Sequence, residues 1–133
     1  MVLMLAVLPA RASNPGHLSR AVGDSEPDPT SPDEVFAQMQ HSFRADRARG
    51  QHLKYQFDFS DPQGGKWWIQ ISNGACTMGK GTIDHPDVTF NCTGADWVQL
   101  SNGTLGGFQA FFTGRLKITG NQFNAHRLDE LFP

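Results

Sequence analysis

The chain has 133 residues, enough for one domain with a hydrophobic core and a modest cavity inside it. Hydrophobic residues make up 38% of it, and the ten Phe and three Trp indicate an aromatic interior. A net charge of -2 lacks the basic field typical of nucleic-acid-binding proteins, so we predict no nucleic-acid partner. Cys76 and Cys92 are too few for a disulfide framework, and the five histidines show no metal-ligand spacing. The sequence therefore predicts neither a metal nor another cofactor.

Residues 1–30 differ in composition from the rest of the chain. A short apolar run, Val2–Leu8, precedes a tract rich in Pro, Ser, Gly and Asp. Ala10-Arg11-Ala12 resembles a signal-peptide cleavage site, but no basic residue precedes the apolar run, which is far below the ~20 residues of a membrane-spanning helix. We interpret the segment as a disordered leader or a start assigned too far upstream, with a cleaved signal as the alternative. The first interpretation predicts a cytoplasmic protein, the second a secreted or periplasmic one.

The first predicted helix begins with a strong capping signal. Ser31 is a suitable cap, Pro32 suits the first helical position, and Glu34 completes a Ser-x-x-Glu capping box. Apolar residues at helical spacing follow between 35 and 43, and we expect the segment to end at Gly50.

Four segments with strand patterns follow. The first two are 53–59 and 66–71, joined by a turn at 61–65, and the third is weak, at about 75–83. Val88, Phe90 and Cys92 share one face of the fourth. Because the four follow one another with short turns, the pattern predicts an antiparallel meander. Cys76 and Cys92 fall in consecutive strands, so they are expected to be able to lie near each other.

The remainder alternates helix and strand. A short helix capped by Thr93 is followed by a second short helix, by a strand with Leu116 and Ile118 on one side, and by a terminal helix. The terminal helix is predicted to carry one apolar face of Phe123, Leu128, Leu131 and Phe132. The order predicts an α+β fold with helices over one face of a mostly antiparallel sheet.

Three strings of residues resemble the sterol carrier protein type 2 family over about residues 31–133. They are Pro86-Asp87-Val88-Thr89-Phe90, the run Phe-Gln-Ala-Phe-Phe-Thr-Gly-Arg-Leu-Lys-Ile-Thr-Gly at 108–120, and the closing 128–132. The chain departs from the family pattern at Gly106-Gly107, where a Pro-containing helix start is usual, and Pro133 is not followed by a peroxisomal Ser-Lys-Leu tail. The second departure fits a stand-alone bacterial member.

The resemblance implies a five-stranded sheet covered by helices, with a hydrophobic tunnel between the two layers. It also implies an apolar lipid ligand (a fatty acid, acyl-CoA, sterol or phospholipid) and transfer between membranes through transient membrane contact. Some relatives are instead accessory or dimerisation modules, so a role through a protein partner stays open, as does the oligomeric state.

The residues predicted to line the tunnel are the large apolar side chains on the inner faces of the later elements. They are Phe90, Trp97, Leu100, Phe108, Phe111, Phe112, Leu116, Phe123, Leu128, Leu131 and Phe132. A pocket of this kind needs only a few polar groups, and Arg115, Lys117 and Arg127 are candidates to meet an anionic head group. Solvated surface is the alternative role for these three cations.

An enzyme is the third hypothesis, and it requires titratable groups that converge in one pocket. Five such groups stand out in the sequence: Asp58, Asp84, Asp87, Asp96 and His126. Most of them fall at predicted turns, outward strand positions or helix caps, and Asp96 suits the first turn of a helix. We therefore predict that the protein is not an enzyme.

Overall fold

The computed structural model describes residues 29–61 and 65–133, which form one five-stranded sheet with helices packed on it. All but the last two residues of the predicted leader, and the centre of the predicted turn at 61–65, lie outside this description. The helices are α1 Pro32–Ser42, α2 Gly94–Asn102, α3 Gly107–Phe112 and α4 Gln122–Leu131, with a 3₁₀ turn at Ala45–Arg47. The strands are β1 Leu53–Phe59, β2 Lys66–Ser72, β3 Ala75–Lys80, β4 Val88–Cys92 and β5 Lys117–Gly120.

The sheet is mixed, with the strand order β3-β2-β1-β4-β5. All neighbours are antiparallel except β1 and β4, which run parallel with Phe57 opposite Phe90. The predicted meander is therefore wrong at its last step, because β4 pairs with β1 rather than with β3. The predicted α+β class with a mostly antiparallel sheet is confirmed. Cys76 and Cys92 are kept apart, since β2 and β1 lie between their strands.

The connection between β3 and β4 explains why the meander fails. A parallel pair needs a crossover, and residues 81–87 make it over the outer face of β1. The buried Gln56 side chain holds this crossover: its Nε2 donates to the carbonyl of Gly81 (3.1 Å) and its Oε1 accepts from the amide of Ile83 (2.9 Å). The segment Asp84–Asp87, which has hairpin-turn composition, is thus the end of a crossover.

Helix α1 begins where the capping signal places it and ends earlier than expected. The amide of Glu34 donates to Ser31 Oγ (3.3 Å), and the Glu34 carboxylate accepts from the amide of Thr30 (2.8 Å), one residue before the cap. Phe43 adopts an extended conformation, so the helix stops at Ser42 rather than at Gly50. The next amide, of Arg44, donates to the carbonyl of Leu131 (2.8 Å). The chain after Ser42 is thus bonded to the C-terminal helix α4 and does not continue α1.

The two later helical caps follow local rules. Thr93 Oγ1 accepts from the amide of Asp96 (3.0 Å) at the start of α2, and Gly103, with φ of 85°, ends that helix. Asn121 Oδ1 accepts from the amides of residues 123 and 124 at the start of α4. The third strand ends at Lys80, three residues before the predicted end.

The terminal helix buries a different face from the predicted one. Ala125, Leu128 and Leu131 are buried in α4, whereas Phe123 is exposed. Residues 123 and 125 lie roughly 200° apart around a helix axis, so one helix cannot bury both against the same flat sheet. The predicted apolar face is therefore wrong at Phe123, and the small Ala125 takes the inward position.

Candidate functional site

The site predicted from sequence separates into a buried part and an exposed part. Seven of the eleven predicted lining residues are almost fully buried in the core: Phe90, Trp97, Leu100, Leu116, Leu128, Leu131 and Phe132. The other four are exposed on the helices, with relative exposures of 48% for Phe108, 38% for Phe111, 71% for Phe112 and 69% for Phe123. The structure thus brings together the first set between the sheet and the helices and leaves the second set on the surface.

An aromatic cluster fills the space between the sheet and the helices. It consists of Phe36 on α1, Phe57 and Phe59 on β1, Phe90 on β4 and Trp97 on α2. The Trp97 ring lies 5.0 to 6.1 Å from each of the other four ring centroids. The rings of Phe57 and Phe90 stack at 5.2 Å across the parallel strand pair. Rings at these separations are in close contact, so the cluster forms the aromatic core between the sheet and helices α1 and α2.

The aromatic residues of β1 were not among the predicted lining residues. Tyr55, Phe57 and Phe59 alternate with polar residues along β1 and so share its inner face. The Tyr55 hydroxyl donates to the carbonyl of Asn124 (2.8 Å), which joins the centre of the sheet to α4. Burial raises the pKa of Tyr55 well above its ordinary value, so the phenol is a neutral donor. The alternation of aromatic and polar residues along β1 is the sequence signal that could have identified them.

One polar atom in this apolar layer has no acceptor among the described residues. The indole Nε1 of Trp97 is buried and makes no hydrogen bond. A buried donor without a partner costs about 1–3 kcal/mol, so such an atom is uncommon in an apolar core. Because Trp97 is wholly buried, the hydrogen of this donor is available only to a group that enters the layer.

The covering elements α3 and α4 attach to the sheet in different ways. Helix α4 is tied to its surroundings by the Tyr55 bond, by ring contact between Phe43 and Phe132 (5.5 Å), and by a hydrogen bond from Arg127 Nε to Gln51 Oε1 (3.2 Å). Helix α3 buries only Gly107 and Ala110. Small side chains on its inner side bring its backbone close to the core and leave its aromatic side chains facing outward.

The three cations predicted near a head group have distinct surroundings. Arg115 grips Asp96 with two hydrogen bonds, of 2.6 Å from Nη2 and 3.3 Å from Nε, and this carboxylate raises the pKa of the guanidinium. Lys117 is exposed and lines a surface groove together with Asp96 and Arg115. Arg127 lies 5.7 Å from the ring centroid of Phe123 and 3.8 Å from a Glu130 oxygen. Arg115 therefore joins α2 to the segment after α3, a structural role that differs from the two predicted for it.

The candidate catalytic groups do not form one constellation. Asp58 and Asp96 line one groove, but Asp96 is held by Arg115 and Asp58 accepts from Gln56 Nε2 (3.0 Å). Asp87 accepts from the amide of Lys54 (2.8 Å) at the end of the crossover. Asp84 on the crossover and His126 on α4 are exposed. The hydrogen bonds of Asp58, Asp87 and Asp96 therefore connect parts of the fold to one another.

The described ranges show no cluster of metal-ligating side chains, and their two cysteine thiols have raised pKa values. Within residues 29–61 and 65–133, no three His, Cys, Asp or Glu side chains come together as a metal site. Burial raises the pKa of both cysteine thiols to about 12, so the nucleophilic thiolate is scarce at neutral pH. No helix in the same ranges is long and apolar enough to span a bilayer.

Three surface grooves of about 300, 440 and 480 Å³ lie around the helical layer. The first separates α1 from the chain end near Pro133, and the third lies between the start of α1 and α2. The second is the polar groove of Asp96, Arg115 and Lys117. None of these three is lined by a residue of the predicted ligand set.

These features define an α+β domain in which helices cover an aromatic inner face of a mixed five-stranded sheet. The chain belongs to the SCP-2 sterol transfer family, whose model matches residues 33–133. This confirms the resemblance seen at residues 86–90, 108–120 and 128–132.

The relatives are of two kinds. The chain is 31% identical over 100 residues to hydroxysteroid dehydrogenase-like protein 2 of Bos taurus, covering 74% of this chain and 24% of the relative. It therefore spans about a quarter of the length of these curated relatives. Its fold also matches the sec-alkylsulfatase Pisa1 from a Pseudomonas species, with a TM-score of 0.68, 22% identity and coverage of 77% and 16%. In both cases the matched region is a part of a much longer protein.

Other solved structures match over nearly their whole length. The sterol carrier protein domain 2 of Helicoverpa armigera shares 27% identity at a TM-score of 0.62, over 82% of this chain and 91% of that one. Palmitated SCP2L2 from Aedes aegypti shares 19% identity at a TM-score of 0.63, over 77% and 95%. The fold is thus that of a sterol carrier domain by itself.

Proposed function

We propose that the protein is a non-catalytic lipid carrier that holds one apolar chain between the sheet and the covering helices. Membership of the SCP-2 sterol transfer family supports this proposal, as does the palmitated state of the Aedes aegypti relative. The proposed ligand is a fatty acid, acyl-CoA, sterol or phospholipid. The proposed lining is the buried set Phe90, Trp97, Leu100, Leu116, Leu128, Leu131 and Phe132 together with the inner face of β1.

The observation that carries the proposal is the aromatic cluster between the sheet and helices α1 and α2, with its unpartnered indole donor. An apolar chain that replaces water with aromatic and leucine side chains gains roughly 25 cal/mol for each Å² of apolar surface buried. The ester, carboxyl or hydroxyl oxygen of such a lipid is the kind of acceptor that Trp97 Nε1 lacks. The space between the sheet and the helices therefore combines apolar side chains with one hydrogen-bond donor, the two features that small-molecule sites require.

Entry of the ligand requires the cover to move, and α3 is the element best suited to move. Its inner contacts are those of Gly107 and Ala110, whereas α4 is held through Tyr55 and Phe43. Few buried apolar contacts give a segment a low free energy of local opening. We propose that the segment from Gly103 to Gly114 swings outward to admit the lipid.

Native mass spectrometry of the full chain tests the proposal, followed by titration with a fluorescent fatty-acid analogue and displacement by palmitate. We expect one probe per chain, displaced by palmitate. Ala125→Trp places a large ring on the inner side of α4 and should weaken probe binding, whereas Gln122→Trp, on the exposed side of the same helix, should not. A folded protein that binds no amphiphile would overturn the proposal.

The alternative is an accessory module that acts through a larger protein, and the relatives give it a specific basis. In the hydroxysteroid dehydrogenase-like proteins and in the sulfatase, the matched domain is about a quarter or less of the chain. A stable complex of the full chain with an enzyme, together with failure to bind the fatty-acid probe, would favour this function. Probe binding with no such complex would favour the carrier.

A further inference from the structure

Among the described residues, Trp97 carries the one buried side-chain donor that makes no hydrogen bond. The rings of four Phe residues surround it at 5.0 to 6.1 Å between centroids. An aromatic ring offers an N–H only a weak contact, whereas a hydroxyl or carbonyl oxygen is a full acceptor. The indole Nε1 is therefore suited to an oxygen that arrives with a ligand.

The other buried polar groups near Trp97 already have partners in the protein. The Tyr55 hydroxyl donates to the carbonyl of Asn124 (2.8 Å), and Asp96, the residue before Trp97, accepts two hydrogen bonds from Arg115. A ligand that used one of these groups would have to replace an existing hydrogen bond, so the exchange would gain little. A hydrogen bond to Trp97 Nε1 replaces none, and the net gain falls to this residue.

The charges around the cluster decide what kind of oxygen can enter. The buried polar residues of the described ranges are Gln56 and Asp96, and neither is a cation. Arg115 is paired with Asp96, and Lys117 is exposed. An ionised carboxylate without a cation costs far more to bury than one hydrogen bond returns, whereas a hydroxyl or carbonyl has a much smaller desolvation cost. The group that reaches Trp97 must therefore be neutral.

We propose that Trp97 Nε1 selects lipids with a neutral oxygen acceptor, which enters the aromatic layer and accepts the indole hydrogen. Such an oxygen is the hydroxyl of a long-chain or sterol-like alcohol, or the carbonyl of an acyl ester or thioester. An ionised fatty acid then binds through its chain alone, with the carboxylate outside the layer. This inference rests on the proposed carrier function, since it names the class of ligand that the same site prefers.

Displacement of the fluorescent fatty-acid probe from the full chain tests the selection with two matched ligands, dodecanol and dodecanethiol. They share one chain and differ in the terminal atom, and sulfur is a weak acceptor. We expect Trp97→Phe to reduce the preference for dodecanol roughly threefold to tenfold, the equivalent of one neutral hydrogen bond. The matched control is Trp67→Phe, which removes a partly buried indole stacked on Phe36 at 4.5 Å and should keep the preference. Circular dichroism checks that each variant is folded.

Two further ligands identify the source of the oxygen, each compared with dodecanethiol. Methyl laurate carries an ester carbonyl, and laurate carries an ionised carboxylate at neutral pH. Loss of relative affinity in Trp97→Phe for methyl laurate alone assigns the site to acyl esters, and loss for dodecanol alone assigns it to alcohols. The relative affinity of laurate should stay the same in Trp97→Phe, because its carboxylate does not reach the indole.

The indole N–H resonances of the unaltered protein give a readout that needs no altered Trp97. Trp67 and Trp68 are both partly buried, and the resonances lost in Trp67→Phe and Trp68→Phe leave the third as that of Trp97. We expect this resonance to move downfield with dodecanol and to move much less with dodecanethiol, since a hydrogen bond to oxygen deshields the proton.

Three results would overturn the inference while leaving the carrier function in place. They are an unchanged preference for dodecanol in folded Trp97→Phe, a Trp97 resonance that responds equally to both ligands, and a loss for laurate as large as that for dodecanol. A chain that binds neither the probe nor any of these ligands would overturn the carrier function, and the inference with it.

Discussion

The aromatic cluster and helix α3 both carry aromatic side chains, but the rings of the cluster are buried and those of α3 are exposed. In the cluster, Phe57, Phe90 and Trp97 are wholly buried and in mutual ring contact. On α3, Phe108 and Phe112 are also in contact, yet they face outward. The difference lies in the packing partners of each region. The side chains of α1 and α2 pack against aromatic residues of β1 and β4, whereas α3 contacts the core through Gly107 and Ala110. Aromatic content alone therefore does not tell which rings hold the fold and which are available to a ligand or surface.

The largest test of this comparison removes one ring from each region. We expect Trp97→Ala to lower the free energy of unfolding by about 3–5 kcal/mol, because it removes a buried ring that touches four others. Phe112→Ala should change it by no more than ~0.5 kcal/mol, because the side chain is largely exposed. Urea denaturation monitored by circular dichroism measures both. Similar losses in the two variants would mean that α3 is part of the cooperative core.

The next largest effect concerns the outer face of the sheet. Gln56→Met keeps the size of the side chain but removes its bonds to Gly81 and Ile83, which hold the crossover on β1. We expect a loss of about 2 kcal/mol in the same denaturation experiment, since backbone groups of the crossover lose their partners. Gln122→Met, on the exposed side of α4, is the control and should be nearly neutral. An unchanged midpoint for Gln56→Met would show that the crossover holds without this side chain.

A pH series sharpens the comparison, because Cys92 lies on the buried side that includes the cluster. Burial raises the pKa of its thiol from 9.0 to about 12, so the folded state keeps a proton that the unfolded chain releases. The contribution is complete below pH 9 and is lost as the pH rises from 9 towards 12. Between pH 9 and 10 the loss is about 1 kcal/mol for this group. Cys92→Ala should unfold in urea with a shallower pH dependence, and an identical slope would contradict the assignment.

The smallest expected effect is at the start of α1, the helix that carries Phe36 of the aromatic cluster. Ser31→Ala removes the acceptor for the amide of Glu34 and should cost about 1 kcal/mol. Ser31→Asp keeps a capping oxygen and should retain the stability of the unaltered protein. Equal midpoints for the alanine and aspartate variants would mean that the bonds between Thr30 and Glu34 are sufficient to cap the helix.

Local sequence was a reliable guide wherever one element decided its own structure. The caps at Ser31 and Thr93, the inward face of β4 and the C-terminal end of α2 at Gly103 were all predictable from neighbouring residues. The family was also evident from residues 86–90 and 108–120. In the candidate site, the seven buried lining residues were identified as apolar and inward, because the period of their elements marks them so.

Only the tertiary structure decided the rest. The parallel pairing of β1 with β4 arises from a crossover that Gln56 holds, and hairpin-like turn composition at residues 84–87 gives no indication of it. The end of α1 depends on the carbonyl of Leu131, almost ninety residues away along the chain. The outward turn of Phe108, Phe112 and Phe123 depends on which side of each helix meets the sheet. Hydrophobic periodicity finds the apolar side chains, but it cannot choose between two helix faces when small residues such as Ala110 and Ala125 allow closer packing than Phe does.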